Sequence, residues 1–452
     1  MSIAEREAPP AATTPAPAAG WAAIRPLLLR LHFYAGVFVG PFLVVAALTG
    51  IAYIYTPQLE QVIYDHELHV PAAPGALSLD RQAELARAQA PDGEITAVRP
   101  APTATDTTQV IFDRPGLAPG YHHTVFVDPH TGEVRGALET YGSGQSLPVR
   151  GWISTLHSSL HLGDFGRLYS ELAASWLWVI VLAGLVLWIG RRRRERRARS
   201  VLLPAGGPPG RRRLLSWHGA AGLWAAAGLL FLSATGLTWS LYAGESVSDL
   251  RSALDWKTPS ISAAATSSPA GADVGFQAVR DATARAGLTD PVELRVPGKP
   301  GKGYVVQQIQ RSWPEKQDSM AVDPATGQIT NTLRFDDYPL AAKLSRWGID
   351  AHMGLLFGVA NQIVLTALAA GLICLVVWGY RMWWQRRPAR GETRFGRRPV
   401  RGAWRRVPGR VLAPVLVGAA VLGYFLPVLG VSLLGFLVLD VVLGWRKREV
   451  AA

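Results

Sequence analysis

The sequence predicts an α-helical polytopic membrane protein with four core transmembrane helices, a C-terminal hydrophobic hairpin and two small α+β modules outside the membrane. Of its 452 residues, 49% are hydrophobic and only 17% are charged, whereas a soluble globular chain is about 25% charged. Several apolar runs reach the roughly 20 residues that a helix needs to cross the hydrocarbon core. The chain also repeats itself, which divides it into two copies of one unit: membrane helix, external module, membrane helix.

The single cysteine and the positive net charge exclude several classes of protein. Cys374 is the only cysteine, which excludes an intrachain disulfide framework, CxxC redox pairs and thiolate metal clusters. The net charge of +13 comes from 46 basic and 33 acidic residues. Because charged residues are few overall, the basic excess must be concentrated in short segments.

The apolar runs and the segments between them predict the order of domains. The Ala/Pro/Thr-rich start of the chain is not a signal peptide, because the first apolar run is too long for one. Pro427 and Gly430 interrupt the last apolar run, which favours two helices there, although one long helix stays open. In chain order we predict a disordered cytoplasmic tail (1–24), a first transmembrane helix (25–56), a first external module (57–150), an interfacial helix with the second transmembrane helix (151–190), a basic cytoplasmic loop (191–213), a third transmembrane helix (214–243), a second external module (244–339), a fourth transmembrane helix (340–384), a second basic loop (385–410) and the C-terminal hydrophobic hairpin (411–445).

Arginine clusters predict which loops stay in the cytoplasm. Ten arginines lie in the segment 191–213, ten more in 386–410, and a shorter basic cluster follows at Arg446–Arg448. Short loops rich in Lys and Arg remain inside, so these segments and the N-terminus are predicted to be cytoplasmic, with both modules outside. We interpret the clusters as topology signals and contacts to lipid headgroups, and expect no nucleic-acid partner.

Equal spacings define the internal repeat within the membrane. His32 is followed by Gly36 and then by Thr49. His218 is followed, at the same two intervals, by Gly222 and Thr235. The first and third transmembrane helices are therefore predicted to be copies of each other.

The external segments repeat as well. The motif Asp-Pro-x-Thr-Gly begins at Asp128 and at Asp323, and a histidine follows each aspartate at the same interval, His157 in the first copy and His352 in the second. Pro presets φ and Gly tolerates positive φ, so the motif predicts a tight turn between two strands. A helical stretch and segments with β-branched alternation precede each turn, which predicts one small α+β module per copy.

Four histidines thus occupy equivalent places in the two copies. The predicted topology puts His32 and His218 at the cytoplasmic ends of the first and third helices, and His157 and His352 at the external ends of the second and fourth. Ionisable residues in apolar helices are costly and point to function. Imidazole is a common axial ligand of haem iron, and helix bundles build cofactor sites from facing side chains. The sequence therefore predicts one pair of haem ligands on each side of the membrane.

His161 is an alternative ligand in the first copy. It stands four residues after His157, which would place both on one helical face. Its counterpart in the second copy is Leu356. The repeat register favours His157, and both residues stay candidates.

Taken together, these motifs resemble a known family. The paired His-x-x-x-Gly helices that end in Thr-Gly, the two Asp-Pro-x-Thr-Gly modules and the segment from His352 to Gln362 are similar to the PepSY-associated transmembrane family, whose members are often called iron-regulated or PiuB-like membrane proteins. The resemblance runs from about His32 to Trp384 and extends to the segment 425–430.

The resemblance implies a location, a cofactor and an activity. It implies a protein of the bacterial cytoplasmic (inner) membrane that is linked with siderophore uptake. Members similar to the siderophore reductase FoxB carry two b-type haems and reduce ferric siderophores outside the membrane, which releases iron. On this basis the expected ligands of haem iron are His32, His218, His157 and His352.

The electron donor is not encoded in the chain. No G-x-G-x-x-G fingerprint lies between a strand and a helix, and the cytoplasmic loops are too short for a nucleotide-binding domain. We therefore expect quinol or a separate reductase as donor, and a ferric siderophore or another external molecule as acceptor.

Two other functions are compatible with the sequence. One is a non-enzymatic membrane anchor whose PepSY-like modules bind or regulate a peptidase or another partner. The other is a transporter component built on the two-fold repeat. Against the transporter, Asp440 is the one acidic residue that we identify inside an apolar run.

Overall fold

A computed structural model describes residues 21–192, 201–265, 273–386 and 407–449. Most of the predicted tail and large parts of both basic loops lie outside the described residues, as do the side chains of Arg446–Arg448. The helices are α1 (Trp21–Ile54), α2 (Thr56–Ile63), α3 (Asp65–Leu68), α4 (Leu79–Arg87), α5 (Pro148–Ser159), α6 (Gly163–Arg192), α7 (Arg211–Leu237), α8 (Ala243–Ala253), α9 (Gly275–Arg285), α10 (Leu340–His352), α11 (Gly358–Trp384), α12 (Gly409–Phe425) and α13 (Pro427–Glu449), with a 3-10 turn at Phe335–Asp337. The strands are β1 (Glu94–Arg99), β2 (Thr108–Asp113), β3 (Tyr121–Val127), β4 (Val134–Tyr141), β5 (Val292–Arg295), β6 (Tyr304–Gln308), β7 (Ser319–Val322) and β8 (Ile329–Leu333).

Four helices among the described residues are long and apolar enough to cross a membrane, as predicted. They span Ile24–Ile54, Gly163–Arg192, Arg211–Leu237 and Gly358–Trp384. The fourth is shorter than the predicted 340–384, because α10 and α11 are separate helices. Gly354 and Gly358, both with positive φ, lie in the break between them. Glycine adopts this backbone conformation without the steric cost that a side chain would impose.

The C-terminal segment forms two helices, α12 and α13, with Leu426 between them. The two helices approach each other closely at Gly423 and Gly430. A Cβ built on Gly423 would lie 3.0 Å from the Cα of Gly430. Small residues let two helix backbones approach closely in a membrane. The pair therefore folds back on itself at Leu426.

The chain divides into two compact units. One comprises Met1–Pro41, Leu172–Ser233 and Cys374–Ala452, and the other comprises Phe42–Glu171 and Ala234–Ile373. The first unit holds His32 and His218. The second holds His157 and His352 together with all eight strands.

The strands form one sheet instead of two separate ones. The eight strands have the order β4-β3-β2-β1-β5-β6-β7-β8, and all neighbours are antiparallel. The halves join where β1 pairs with β5, at Ala97 opposite Arg295, and Arg99 and Glu293 form an ion pair of 2.6 Å beside that seam. The two predicted α+β modules therefore form one continuous sheet. Pairing the inner edge strands satisfies backbone groups that separate sheets would leave open.

The Asp-Pro-x-Thr-Gly segments form the predicted turns. Oδ1 of Asp128 accepts hydrogen bonds from the backbone N–H of His130 at 2.7 Å and of Thr131 at 3.3 Å. Asp323 makes the same two bonds to the second and third residues after it. The glycine that ends each motif has φ of +78° or +68°. The aspartate stabilises the turn because its carboxylate accepts hydrogen bonds from the backbone N–H groups two and three residues after it.

Helices α4 and α9 cap each other. The carboxylate of Asp80 accepts the backbone N–H of Phe276 at 2.6 Å and of Gln277 at 3.1 Å, at the start of α9. In return, Oε1 of Gln277 accepts the N–H of Leu79 at 3.0 Å, at the start of α4. These donors have no partner within their own helices, so each helix completes the first turn of the other.

We predict that Asp80→Ala destabilises this unit by about 1 kcal/mol, the usual cost of losing an N-terminal cap. Glu84→Ala on the same helix is the matched control, because its ion pair with Arg81 is exposed and such pairs contribute little. Thermal unfolding in detergent, followed by circular dichroism, measures both variants. Equal midpoints for the two variants would contradict the role of Asp80.

Candidate functional site: two histidine pairs

His32 and His218 face each other within the first unit. Their ring centres are 6.2 Å apart and their planes are nearly perpendicular, at 81°. Nδ1 of His32 lies 2.9 Å from the backbone carbonyl oxygen of Ile180. A carbonyl only accepts, so Nδ1 carries the proton and Nε2 keeps its lone pair. His32 is thereby held in the tautomer that binds a metal through Nε2.

His218 is placed in a similar way by the second copy. The carbonyl of Leu375, the repeat counterpart of Ile180, is the backbone acceptor beside it, but this contact falls short of hydrogen-bond geometry. Nδ1 of His218 is buried without a hydrogen-bond partner. Buried polar atoms are normally satisfied. A small rotation of the His218 ring would let its Nδ1 donate to the carbonyl of Leu375. His218 would then be held in the same way as His32.

Glycines on the facing helices give the imidazoles their space. A Cβ built on Gly184 would lie 3.0 Å from Cε1 of His32, and one on Gly379 would lie 4.0 Å from Cε1 of His218. Both glycines occupy equivalent positions in the two copies, at the interval that also separates His157 from His352. That equal spacing is the signal that could have identified them, whereas the glycines predicted from the sequence were Gly36 and Gly222. Gly36 has no neighbour within 4 Å of such a Cβ, and Gly222 contacts only the side chain of Leu375 at 3.7 Å.

We predict that Gly184→Val displaces the ring of His32 and lowers the thermal unfolding midpoint of the protein, because the new side chain needs the space of the imidazole. Overpacking of this kind costs about 1–3 kcal/mol. Gly371→Val on α11 is the control, since nothing lies within 4 Å of its Cβ position. A midpoint unchanged in Gly184→Val would show that the glycine does not hold the ring in place.

His157 and His352 form the second pair, in the second unit. They lie near the ends of the short helices α5 and α10, which precede the membrane spans. The sequence predicts both at the external ends of membrane helices, with His157 in a segment that begins with an interfacial helix. Nδ1 of His157 is 3.0 Å from Oγ1 of Thr49, and Nδ1 of His352 is 2.6 Å from Oγ1 of Thr235. Both imidazoles are thus oriented by the threonine of the repeated Thr-Gly motif.

The hydroxyl of Thr49 is shared between two contacts. Oγ1 lies 2.8 Å from the backbone carbonyl of Val45 and 3.0 Å from Nδ1 of His157. When its proton is donated to Val45, it accepts from Nδ1 of His157, and Nε2 of His157 is then free. Gly50, the residue after Thr49, allows the close approach: its Cβ position lies 3.3 Å from Cε1 of His157.

Burial keeps this pair neutral. It lowers the pKa of His157 and lowers that of His352 to about 3, and a positive charge on His157 would lower the pKa of His352 further. Both rings are uncharged at neutral pH, which leaves a lone pair for a metal on each.

His161 does not share the helical face of His157. Helix α5 ends at Ser159, and the next two residues, Leu160 and His161, have positive φ of 52° and 55°. The ring of His161 is exposed, and its Nε2 hydrogen-bonds the backbone carbonyl of Trp152 at 3.0 Å. The chain reverses before the helix can complete another turn, which removes the geometric reason for treating His161 as an alternative.

Among the described residues no group of three or more His, Cys, Asp or Glu side chains is arranged to hold a metal ion. The histidines instead come in pairs, one in each unit. A pair of imidazoles with free Nε2 atoms suits a metal that already has ligands of its own.

A family model decides what the chain is related to. The PepSY-associated TM region matches residues 29–386, more than three quarters of the chain. The chain belongs to the PepSY-associated transmembrane family. The matched region contains all four paired histidines and ends before α12. A comparison with curated proteins gave no match.

A network of ion pairs lies beside the second pair in this family member. Asp350, two residues before His352, accepts Nε of Arg311 at 2.7 Å, and Glu315 accepts Nε of Arg346 at 2.6 Å. Neither carboxylate side chain is exposed. Burial raises the pKa of Glu315 to about 7 and the charge of Asp350 adds to the rise, whereas Arg346 opposes it.

We predict that the stability of the folded sheet falls as the pH rises from about 4.5 to about 7. The folded state binds a proton on Glu315 more tightly than the unfolded state does, so unfolding releases it across that range. Glu315→Gln is expected to flatten this part of the profile. Thermal unfolding midpoints of both proteins from pH 4 to pH 8 test it. Parallel profiles would mean that Glu315 is ionised throughout.

Two acidic residues of the membrane helices have structural partners. Asp440 pairs with Arg30 of α1. Glu171, which the sequence analysis overlooked inside α6, is buried, and its carboxylate accepts the N–H of Tyr242 at 2.9 Å and of Ala243 at 3.0 Å. Glu171 thus caps the start of α8. Both residues therefore hold helices together.

Proposed function

We propose that the protein is a haem-containing transmembrane electron-transfer protein that reduces an external acceptor, most simply a ferric siderophore, and so releases iron. The spacing of His32 and His218 carries the proposal. Two imidazoles on opposite sides of one metal, each nitrogen about 2 Å from it, have ring centres about 6 Å apart. The distance of 6.2 Å between these rings fits such a pair.

The chain's own groups supply what bis-imidazole binding requires. Ile180 and Thr49 hold the Nδ1 protons of His32 and His157 and leave Nε2 for the metal. Partners of this kind orient ligands and raise their basicity. His161 stays outside the ligand set because its ring is exposed. A b-type haem bound to each pair would supply a one-electron carrier whose potential depends on the axial ligands and burial.

The surroundings of the second pair favour reaction with an external molecule. Burial lowers the pKa of both His157 and His352, so both rings are neutral, and Trp239 packs edge-on against His352 with ring centres 5.6 Å apart. The neighbouring carboxylates belong to ion pairs, which leaves the imidazoles as the free donors. Reduction of ferric iron in the acceptor weakens its bonds to hard oxygen ligands, because these prefer the higher charge.

The family and the arginine clusters support the proposed location and partners. We place the chain in the bacterial cytoplasmic membrane, with the N-terminus and the basic loops inside and the eight-stranded sheet outside. The donor is quinol or a separate reductase, since no dinucleotide fingerprint occurs in the sequence. The bilayer is the permanent partner, and the ferric siderophore is the transient one.

Absorption spectra of the detergent-purified protein, oxidised and dithionite-reduced, test the proposal together with a pyridine haemochrome count. We expect about two b haems per chain. His32→Ala and His352→Ala should each lower the count by about one and change the Soret band, because each removes one axial ligand. His161→Ala, the matched control, should leave the count and the spectrum unchanged.

A Soret band that is absent after expression with ample haem would contradict the proposal. It would favour the family's other interpretation, a membrane anchor whose PepSY-like sheet binds or regulates a peptidase or another partner. Loss of haem in His161→Ala but not in His157→Ala would reverse the ligand assignment of the second pair.

A further inference from the structure

A basic cleft lies between the ends of α7 and α11 in the first unit. It has a volume of about 390 Å³ and is lined by Arg213, Trp217, Trp378, Arg381 and Gln385, with Pro209, Gly210 and Leu214. The two tryptophan rings meet edge to face, with centres 6.4 Å apart. The cleft belongs to neither histidine pair, since no histidine lines it.

The charge of the cleft has no acidic counterpart. Within the described ranges, Arg213 and Arg381 form no ion pair, and the same holds for Arg211 and Arg386 near them. Burial and the positive charge of Arg211 lower the pKa of Arg386. Like charges held this close repel each other. An anion bound in the cleft would reduce the repulsion among these arginines, whereas an uncharged ligand would not.

The corresponding positions in the other copy of the repeat have a different character. By the repeat register that the paired histidines set, the arginines correspond to Leu27 and Val186, and the tryptophans to Leu31 and Ala183. Gln385 corresponds to Gly190, and the ring of Trp21 occupies the space above that glycine. The first copy is therefore apolar and filled where the second is basic and open. Helix packing alone does not require this difference, since the first copy packs without it.

The position of the cleft indicates which class of anion it binds. Arg213 and Arg381 stand near the ends of two membrane spans, Arg211–Leu237 and Gly358–Trp384, at the level of lipid headgroups. Tryptophan prefers this level because its ring is amphipathic. Basic pockets between membrane helices bind acidic headgroups on the cytoplasmic side. We propose that the cleft is a specific site for an acidic phospholipid, with the phosphate on Arg213 and Arg381 and the glycerol and upper acyl chain against Trp217 and Trp378.

Native mass spectrometry of the delipidated, full-length protein in detergent tests the site. Phosphatidylglycerol is titrated against phosphatidylcholine with the same acyl chains, and bound lipid is counted per chain. We expect the wild type to prefer phosphatidylglycerol. Each Arg→Gln change at 213 and 381 should weaken binding about fivefold, as expected for one arginine at a headgroup, and Arg→Lys should restore most of it.

The matched control is the double variant Arg25→Gln with Arg410→Gln. Both arginines are exposed, in the same unit and outside the cleft, so this variant should bind phosphatidylglycerol within about twofold of the wild type. Thermal midpoints check that all variants are folded. Trp217→Phe and Trp378→Phe should keep the preference for phosphatidylglycerol, because the charge is retained.

The proposal is overturned by equal binding of Arg213→Gln/Arg381→Gln and the control, by equal binding of the two lipids, or by displacement of the lipid by millimolar inorganic phosphate. The last would assign the cleft to a water-soluble anion. Displacement by a short-chain quinone analogue would assign it to an uncharged ring and overturn it as well. None of these measurements depends on haem, so this inference and the proposed function fail separately.

Discussion

The burial of imidazole rings against apolar helices is the constraint on which the rest of the structure depends. A buried imidazole N–H needs an acceptor, and a helix offers few, because its carbonyl oxygens already serve its own backbone. The chain meets the need at His32 with a backbone carbonyl that is reached over a glycine, and at His157 and His352 with a threonine hydroxyl. In the cases where the donor is decided, the same contact that satisfies Nδ1 leaves Nε2 available. The same hydrogen bond therefore stabilises the helix packing and leaves Nε2 of the imidazole available to a ligand.

The glycines follow from this constraint. Gly184, Gly379, Gly50 and Gly236 each lie beneath the ring of one of the four histidines, at Cβ distances of 3.0 to 4.0 Å. Without a side chain at these positions, an imidazole can lie against a helix backbone and reach its polar groups. The cost of glycine in a helix, about 1 kcal/mol relative to alanine, is offset by the hydrogen bonds and packing that it permits.

The two copies of the repeat share this core but differ around it. The first copy is joined to the C-terminal helices by the Arg30–Asp440 pair and by a hydrogen bond of 2.9 Å from Trp176 to Ser432. These helices lie outside the matched family region. The second copy has the basic cleft at Arg213 and Arg381 instead. The two copies therefore differ at corresponding positions: the first contacts the C-terminal helices, and the second carries the arginines and tryptophans of the cleft.

The sequence by itself determined the four membrane helices and the turn chemistry, because both depend on local signals. An apolar run of sufficient length crosses a bilayer whatever its neighbours are, and an Asp-Pro-x-Thr-Gly segment closes a turn with its own side chain. The equal spacing of His32 with Thr49 and of Asp128 with His157 in the two copies also selected the four histidines. Only the tertiary structure decided that the two α+β modules share one sheet, since β1 and β5 pair although two long apolar helices separate them in the chain. It likewise decided that His161 lies beyond the end of α5, and that Gly184 rather than Gly36 makes room for His32. These outcomes depend on which helix faces which, and no local pattern in the chain specifies that.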